Sequence, residues 1–324
     1  MSHAARATRT LAVDLGGLVL PTPVMIAAGC AGSGRELSAL VDLRKVGGIV
    51  SRTITVDERS GAPVPRISEA SAGIVWDTGL QNPGLDAFVG GELARLSRGG
   101  VRVLVSIGGG SLEEYVRLSS ALQGRPEVAA LEIYLAGPDD ELERSVLGAH
   151  PDRVSEIVGA VGRMSLLPVF AKIPGGCDEV VELARAAVRA GATGVTLLGS
   201  PPALGIEPAL GHAGRSAVHG WLSGPALRPI TLRAVSDVAN ELPDVPVIAS
   251  GGIRTGGDAV QCLLAGASAV QVGTATLTDP TTAVTIAHDI LRTLERNGLA
   301  MPRDLRGRLA PGLQTSRGER AATS

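Results

Sequence analysis

The sequence predicts an α/β protein, a (β/α)8 TIM barrel, and three observations carry that prediction. Eight strand-length, near-continuously apolar runs recur along the chain, as expected of parallel strands buried on both faces. Each is followed by a segment of helical period. The length, 324 residues at 44% hydrophobic content, suits eight such units in one domain. An open doubly wound sheet is the runner-up; eight regular units and the lack of an early GxGxxG favour the barrel.

The strand-like runs are VMIAAG from Val24, GIVSRTI from Gly48, VRVLVSIGG from Val101 and VAALEIYLA from Val128. They continue with LPVFAKIP from Leu167, GVTLLGS from Gly194, VPVIASGG from Val245 and AVQVGTA from Ala269. Helical spacing follows in RELSALVDLRKV, GLDAFVGGELARLS, LEEYVRLSSALQ and DRVSEIVGAVGRM. It returns in DEVVELARAAVRAG, PALRPITLRAVSDVANEL, GGDAVQCLLAG and PTTAVTIAHDILRTLERNG. LAVDLGGLVLPTP reads as an N-terminal hairpin turning at Gly16–Gly17. The connections from Ser51 to Gly84 and from Ser200 to Gly220 are long, and such loops on a barrel cover the C-terminal face. Residues 1–324 are expected to form one domain, with disordered ends at 1–9 and 312–324.

Composition narrows the function. A net charge of −2 favours neither nucleic acid nor an anionic membrane. No apolar run is long enough to span a bilayer and no secretory signal opens the chain, so a cytoplasmic protein is expected. Three dispersed cysteines, Cys30, Cys177 and Cys262, give no disulfide framework and no metal or iron–sulfur site. Positive charge is written almost wholly as Arg, only Lys45 and Lys172 being Lys. A Lys inside the apolar LPVFAKIP therefore stands out.

In a barrel, binding groups project from the C-terminal strand ends. The last two strands end in SGGIRTGGDA and VGTATLTDP, whose glycines let backbone N–H groups converge on a phosphate. Lys172 reads three ways: a surface Lys, a cation facing an anionic cofactor, or a Schiff-base nucleophile.

The segments AAGCAGSGRE, RSGAPVPR, GLQNPG, AKIP, WLSGPALRP, IASGGI and AGASAVQVGTA resemble class 1 dihydroorotate dehydrogenases, FMN-dependent barrels. The resemblance covers about residues 10–308. It implies FMN, its phosphate on Gly251, Gly252, Gly273 and Thr274, with Ser223, Gly224 and Ser250 nearby. Ala27, Ala28 and Gly29 would run along the flavin ring, with Arg52, Thr53 and Gly199 beside it and Lys172 at its N1/C2=O edge.

The same resemblance exposes departures. LEIYLAGPDD falls where the family carries Asn-x-Ser-Cys-Pro-Asn, so Tyr134 replaces the first Asn, Ala136 the Ser, Gly137 the catalytic Cys and Asp139 the last Asn. The family's Lys after the second strand is Arg52, an orotate-binding Asn is Trp76, and the Asn-Thr or Asn-Ser pair after the sixth strand is Gly199–Ser200. Losing these amides and the base removes roughly 10²–10⁴ in rate from the base alone. Trp76, Tyr134, Asp139 and Ser200 are the candidate substrate contacts, and Tyr134 and Arg52 the candidate catalytic groups. Cys177, His212, His219 and Asp140 read as ordinary loop residues.

The reading is an FMN-dependent oxidoreductase with a rebuilt pocket for a larger or less polar small-molecule substrate. Dihydroorotate oxidation, a Schiff-base lyase using Lys172, and a non-catalytic flavin-binding subunit are the alternatives. The electron acceptor is expected to be a separate subunit or a soluble molecule. A homodimer is expected on the resemblance.

Overall fold

The computed structural model describes residues 9–136, 147–206 and 217–309. β1 (Val13–Asp14) and β2 (Val19–Leu20) form the expected hairpin, and Asp14 Oδ1 accepts the N–H of Gly17 at 2.8 Å in its turn. The chain continues through β3 (Val24–Ile26), β4 (Gly48–Val50), β5 (Ile67–Ala70), β6 (Gly73–Trp76), β7 (Val103–Ile107) and β8 (Val128–Tyr134). After these come β9 (Val169–Lys172), β10 (Gly194–Leu197), β11 (Pro202–Ile206), β12 (Ala217–Ser223), β13 (Val247–Ser250) and β14 (Ala269–Val272). Strands β3, β4, β7, β8, β9, β10, β13 and β14 pair in parallel and close into a barrel, β14 returning to β3. The predicted TIM barrel is the fold.

Alternation along each strand sorts the core into two parts. Leu131 and Ile133 point outward into the large cluster beneath the helices. Met25, Val50, Leu104, Ala130, Phe170, Ile248 and Ala269 fill the lower barrel, and Leu15, Leu18 and Leu20 of the hairpin pack beneath them. Two residues further up the strands the interior turns polar, at Glu132, Lys172, Thr196 and Gln271.

The ladders are shorter than the apolar runs that predicted them. VMIAAG pairs in the ladder only through Ile26, and Ala27–Gly29 then turn over the barrel mouth. Such residues are apolar because they line a cavity, not because they pair.

Two helical expectations are corrected. Arg35–Val46 forms only a short helix at Arg35–Ser38 and a 3-10 turn at Leu43–Lys45. Asp42 divides them, its carboxylate accepting both the N–H and the guanidinium of Arg44. The run Gly84–Leu96 carries a π turn at Phe88–Glu92, where Gly90 and Gly91 weaken the regular ladder.

Within the described residues, parts of the long connections are regular. They build a four-stranded antiparallel sheet of order β11-β12-β6-β5 over the barrel mouth. Trp221 therefore lies in β12, opposite Trp76 of β6. Close approach fixes this pairing: a Cβ on Gly73 would lie 2.0 Å from the Ser223 carbonyl oxygen. Among the described residues no helix is long and apolar enough to cross a membrane. Of the ends expected to be disordered only Arg9 is described, its Nε donating to Leu299 O.

Candidate active site

A cavity of about 870 Å³ lies between the barrel mouth and the antiparallel sheet. Its lower wall holds Ala27, Ala28 and Gly29 after β3, Arg52 and Thr53 after β4, and Lys172 at the end of β9. Gly199 and Ser200 after β10 join them, with Ser223 and Gly224. At the far end Ser250, Gly251 and Gly252 meet Gly273 and Thr274. The structure thus brings every expected cofactor position that it describes to one cavity.

The glycine end is shaped to admit an anion. Gly252 has φ +74°, and a Cβ there would lie 2.3 Å from the Arg228 backbone N. The N–H groups of Gly252, Gly273 and Thr274 donate to no protein acceptor among the described residues. Asp258 anchors this loop. It accepts the N–H groups of Arg254 and Thr255 at 3.0 and 2.9 Å and pairs with Arg228. Burial pushes its carboxyl up, but the Arg254 N–H, the Thr255 hydroxyl and N–H, and Arg228 outweigh burial and leave it below the usual range. The Arg254 side chain lines the cavity; sequence reading missed it as one Arg among many.

Beneath the centre lies a buried polar cluster. Lys172 Nζ donates to Glu132 Oε1 at 3.2 Å and to Gln271 Oε1 at 3.1 Å. Glu132 Oε2 also accepts from Gln271 Nε2 at 2.6 Å and Thr196 Oγ1 at 3.0 Å. Glu132 is wholly buried and Lys172 7% exposed. An ammonium has three donors. Two are used, and the third has no protein acceptor among the described residues, on a side chain that lines the cavity. Glu132, Gln271 and Thr196 were missed in the sequence. The available signal was alternation, since Glu132 lies two residues before Tyr134 on one face of VAALEIYLA.

The upper wall is different. Trp76, Ile67 and Leu80 give it an apolar, partly aromatic surface, which Tyr134 at the end of β8 and Leu198 after β10 continue at the barrel rim. Tyr115 Oη donates to the Tyr134 carbonyl at 2.7 Å, fixing the end of β8. Burial, with Asp77 nearby, pushes the Tyr134 phenol well up, which disfavours the phenolate. Cys30 lines the cavity too, and burial pushes its thiol up against the opposing influence of Lys172 and Thr276. Asn82 is no substitute for the missing amides. It is 3% exposed, its Oδ1 accepting from Thr55 and Gly84 and its Nδ2 donating to Thr55 Oγ1 and Leu80 O.

His219 lies in β12 and, like Cys177, does not line the cavity. Gly137, Asp139, Asp140 and His212 lie outside the described residues. Among the described residues no group of His, Cys, Asp or Glu could hold a metal ion.

A barrel whose mouth joins a glycine cradle, with N–H groups unpaired among the described residues, to a buried cation is built to take an anionic small molecule. Comparison with known proteins makes this specific. The dihydroorotate dehydrogenase family model matches residues 10–294. The catalytic subunit of dihydroorotate dehydrogenase B (NAD(+)) from Geotalea daltonii is 38% identical over 92% of this chain and 98% of that protein. The Desulforudis audaxviator protein of the same description is 40% identical over 89% of this chain and 94% of its own length. The chain belongs to the dihydroorotate dehydrogenase family, and with it to the flavin-dependent oxidoreductases acting on CH–CH bonds.

Proposed function

We propose that this chain is an FMN-dependent oxidoreductase that keeps the family's cofactor site and takes a larger or less polar substrate than dihydroorotate. The observation that carries the reading is the contrast within one cavity. Among the described residues its floor holds Lys172 with a spare donor and its far end holds unpaired N–H groups, while its roof holds Trp76 and the barrel rim adds Tyr134 at the end of β8.

The residues fit FMN. Gly251, Gly252, Gly273 and Thr274 would hold its phosphate and Arg254 would add charge there. Ala27–Gly29 would lie along the ring, and a Cβ on Gly29 would meet nothing within 4 Å. The Lys172 ammonium would face N1/C2=O and favour negative charge on that edge. When bound, FMN supplies hydride transfer at its N5. The protein's share is to orient the substrate between Trp76 and the ring, to exclude water with the antiparallel sheet, and to donate a hydrogen bond from Tyr134. The tie of Lys172 to buried Glu132 suits a fixed charge better than a Schiff-base nucleophile.

A second reading is dihydroorotate oxidation itself, and the names of the curated relatives favour it. Against it stand Trp76, Tyr134 and Gly137 at positions where the family resemblance expects amides and the base. The relatives' description as catalytic subunits supports a separate electron-transfer subunit as acceptor; the cytoplasmic homodimer rests on the family resemblance alone.

The test is the visible spectrum of the purified protein, followed by anaerobic titration with dihydroorotate and a panel of cyclic CH–CH donors. The reading expects about one FMN per chain, bleached by a panel member and not by dihydroorotate. Rapid bleaching by dihydroorotate establishes the second reading. A protein that takes up no FMN defeats both.

A further inference from the structure

The antiparallel sheet over the barrel mouth turns its bulky face outward. Gly205 of β11 sits against β5 and β6: a Cβ there would lie 2.7 Å from Ser68 Cβ and 3.3 Å from Val75 Cβ. The sheet therefore curls closed on the face that carries Gly205, Ser68 and Val75, and on that face Val75 and Val218 are buried. Side chains alternate along a strand, so Leu204 and Ile206 of β11 take the other face. They are 50% and 65% exposed. A sheet with one solvated face ordinarily puts its apolar bulk on the covered one. Here the small residues hold the closed face and the large ones the open face.

The register lines that open face into one apolar row. Ile67 pairs with Trp76, Trp76 with Trp221, and Trp221 with Pro202, so the four side chains project from the same face of four adjacent strands. The two tryptophans at its middle are the only two of the chain. Ile67 and Trp76 line the cavity, whereas Trp221 and Pro202 do not. The row thus starts over the cavity and leaves it. Ser200 lines the cavity and β11 begins at Pro202, so the outer end of the row lies close to the cavity rim. From Trp76 to Pro202 the row crosses two strand spacings, about 10 Å. Gly220 brings β12 close to β6 here, since a Cβ on it would lie 2.3 Å from the Trp76 carbonyl oxygen.

Trp221 is half-buried and Pro202 exposed, so both keep surface open to a ligand. The row carries no charge, and its only hydrogen-bonding side-chain groups are the two indole N–H donors. Such a surface gains by covering apolar area and offers little to a polar tail. We propose that Trp221 and Pro202 form an outer subsite continuous with the cavity. The substrate carries an aryl or alkyl substituent that leaves the cavity past Trp76 and lies along Trp221. The inference rests on the flavin-enzyme reading above and assigns a place to the added bulk of the substrate.

The experiment titrates the FMN-loaded protein with four probes, following perturbation of the flavin absorption. Three are 4-methyl-, 4-butyl- and 4-hexylbenzamide, and the fourth carries an oxyethylene chain of hexyl length. A fully buried methylene is worth about fourfold in affinity. Hexyl is therefore expected to bind at least about thirtyfold more tightly than methyl, and the oxyethylene probe to fall well short of hexyl. Trp221→Ser costs hexyl about tenfold more than it costs methyl. Trp221→Leu, which keeps apolar surface, returns part of that loss. A merely structural Trp221 would weaken methyl and hexyl alike, and that result overturns the subsite. So does a series with no gain from methyl to hexyl, or an oxyethylene probe that binds as tightly as hexyl; both are read on the parent protein alone. Leu204→Asp tests the rival occupant. A hexyl gain that appears only once this variant has turned a dimer into a monomer, by light scattering, gives the row to a second copy of the chain and overturns the subsite. If the chain takes up no FMN, the flavin reading fails by itself, and calorimetry of the same probes against the protein and Trp221→Ser still decides the subsite.

Discussion

The floor and the roof of the cavity are made by different rules. The floor is set by the barrel: β8, β9, β10 and β14 place Glu132, Lys172, Thr196 and Gln271 at one level by alternation alone, and each of the four side chains hydrogen-bonds to another of them. The roof is a small antiparallel sheet whose strands stay open to solvent, with Ile67 55% and Ile206 65% exposed. A change in the floor strikes a closed network, whereas the roof can exchange side chains at small cost. That difference explains how one half of a site can stay with its family while the other departs from it.

The sharpest way to break the comparison is Lys172→Met. It leaves Glu132 buried with no cation and should cost about 3–5 kcal/mol of stability, read by urea denaturation. Adding Glu132→Gln removes the stranded charge and should restore a large part of that loss. If Lys172→Met is neutral, the floor is not the closed network described. Next comes Gly252→Ala, which forces a left-handed φ and a clash with the Arg228 backbone. A penalty of roughly 1–3 kcal/mol, between about fivefold and 150-fold in FMN affinity, is expected from fluorescence titration.

Acid sharpens the same half. Asp258 is held below its ordinary range in the folded protein, so its contribution is full above the unfolded carboxylate range and is lost as pH falls through the folded value. FMN release on acidification below about pH 4 should thus be less steep in Asp258→Asn than in the parent. The smallest effect belongs to the roof. Trp76→Asn should change stability by less than about 1 kcal/mol and leave FMN affinity within error, while altering which ligands perturb the flavin band. A large loss of FMN affinity in Trp76→Asn would merge the two halves.

How far the sequence revealed these halves follows from the same physics. Barrel strands announce themselves because burial on both faces leaves long apolar runs, and the glycine loops stand out by composition. Glu132 and Gln271 passed unnoticed because one polar residue in an apolar run carries meaning only once its face is known. The roof strands ISEA, GIVW, PALGI and AVHGWLS are short and mixed, and Trp76 meets Trp221 from far along the chain, so local pattern could not pair them. The π turn at Phe88–Glu92 has only Gly90 and Gly91 as its local signal, and a glycine pair in a helical run does not by itself specify that turn.

The central claim, a cofactor half kept and a substrate half rebuilt, is tested most directly by mixing FMN-loaded protein with dihydroorotate without oxygen and following the flavin band near about 450 nm. The account predicts a full complement of oxidised FMN that dihydroorotate fails to bleach within minutes. Bleaching within seconds would show that the pocket still performs the family reaction, and would contradict the account.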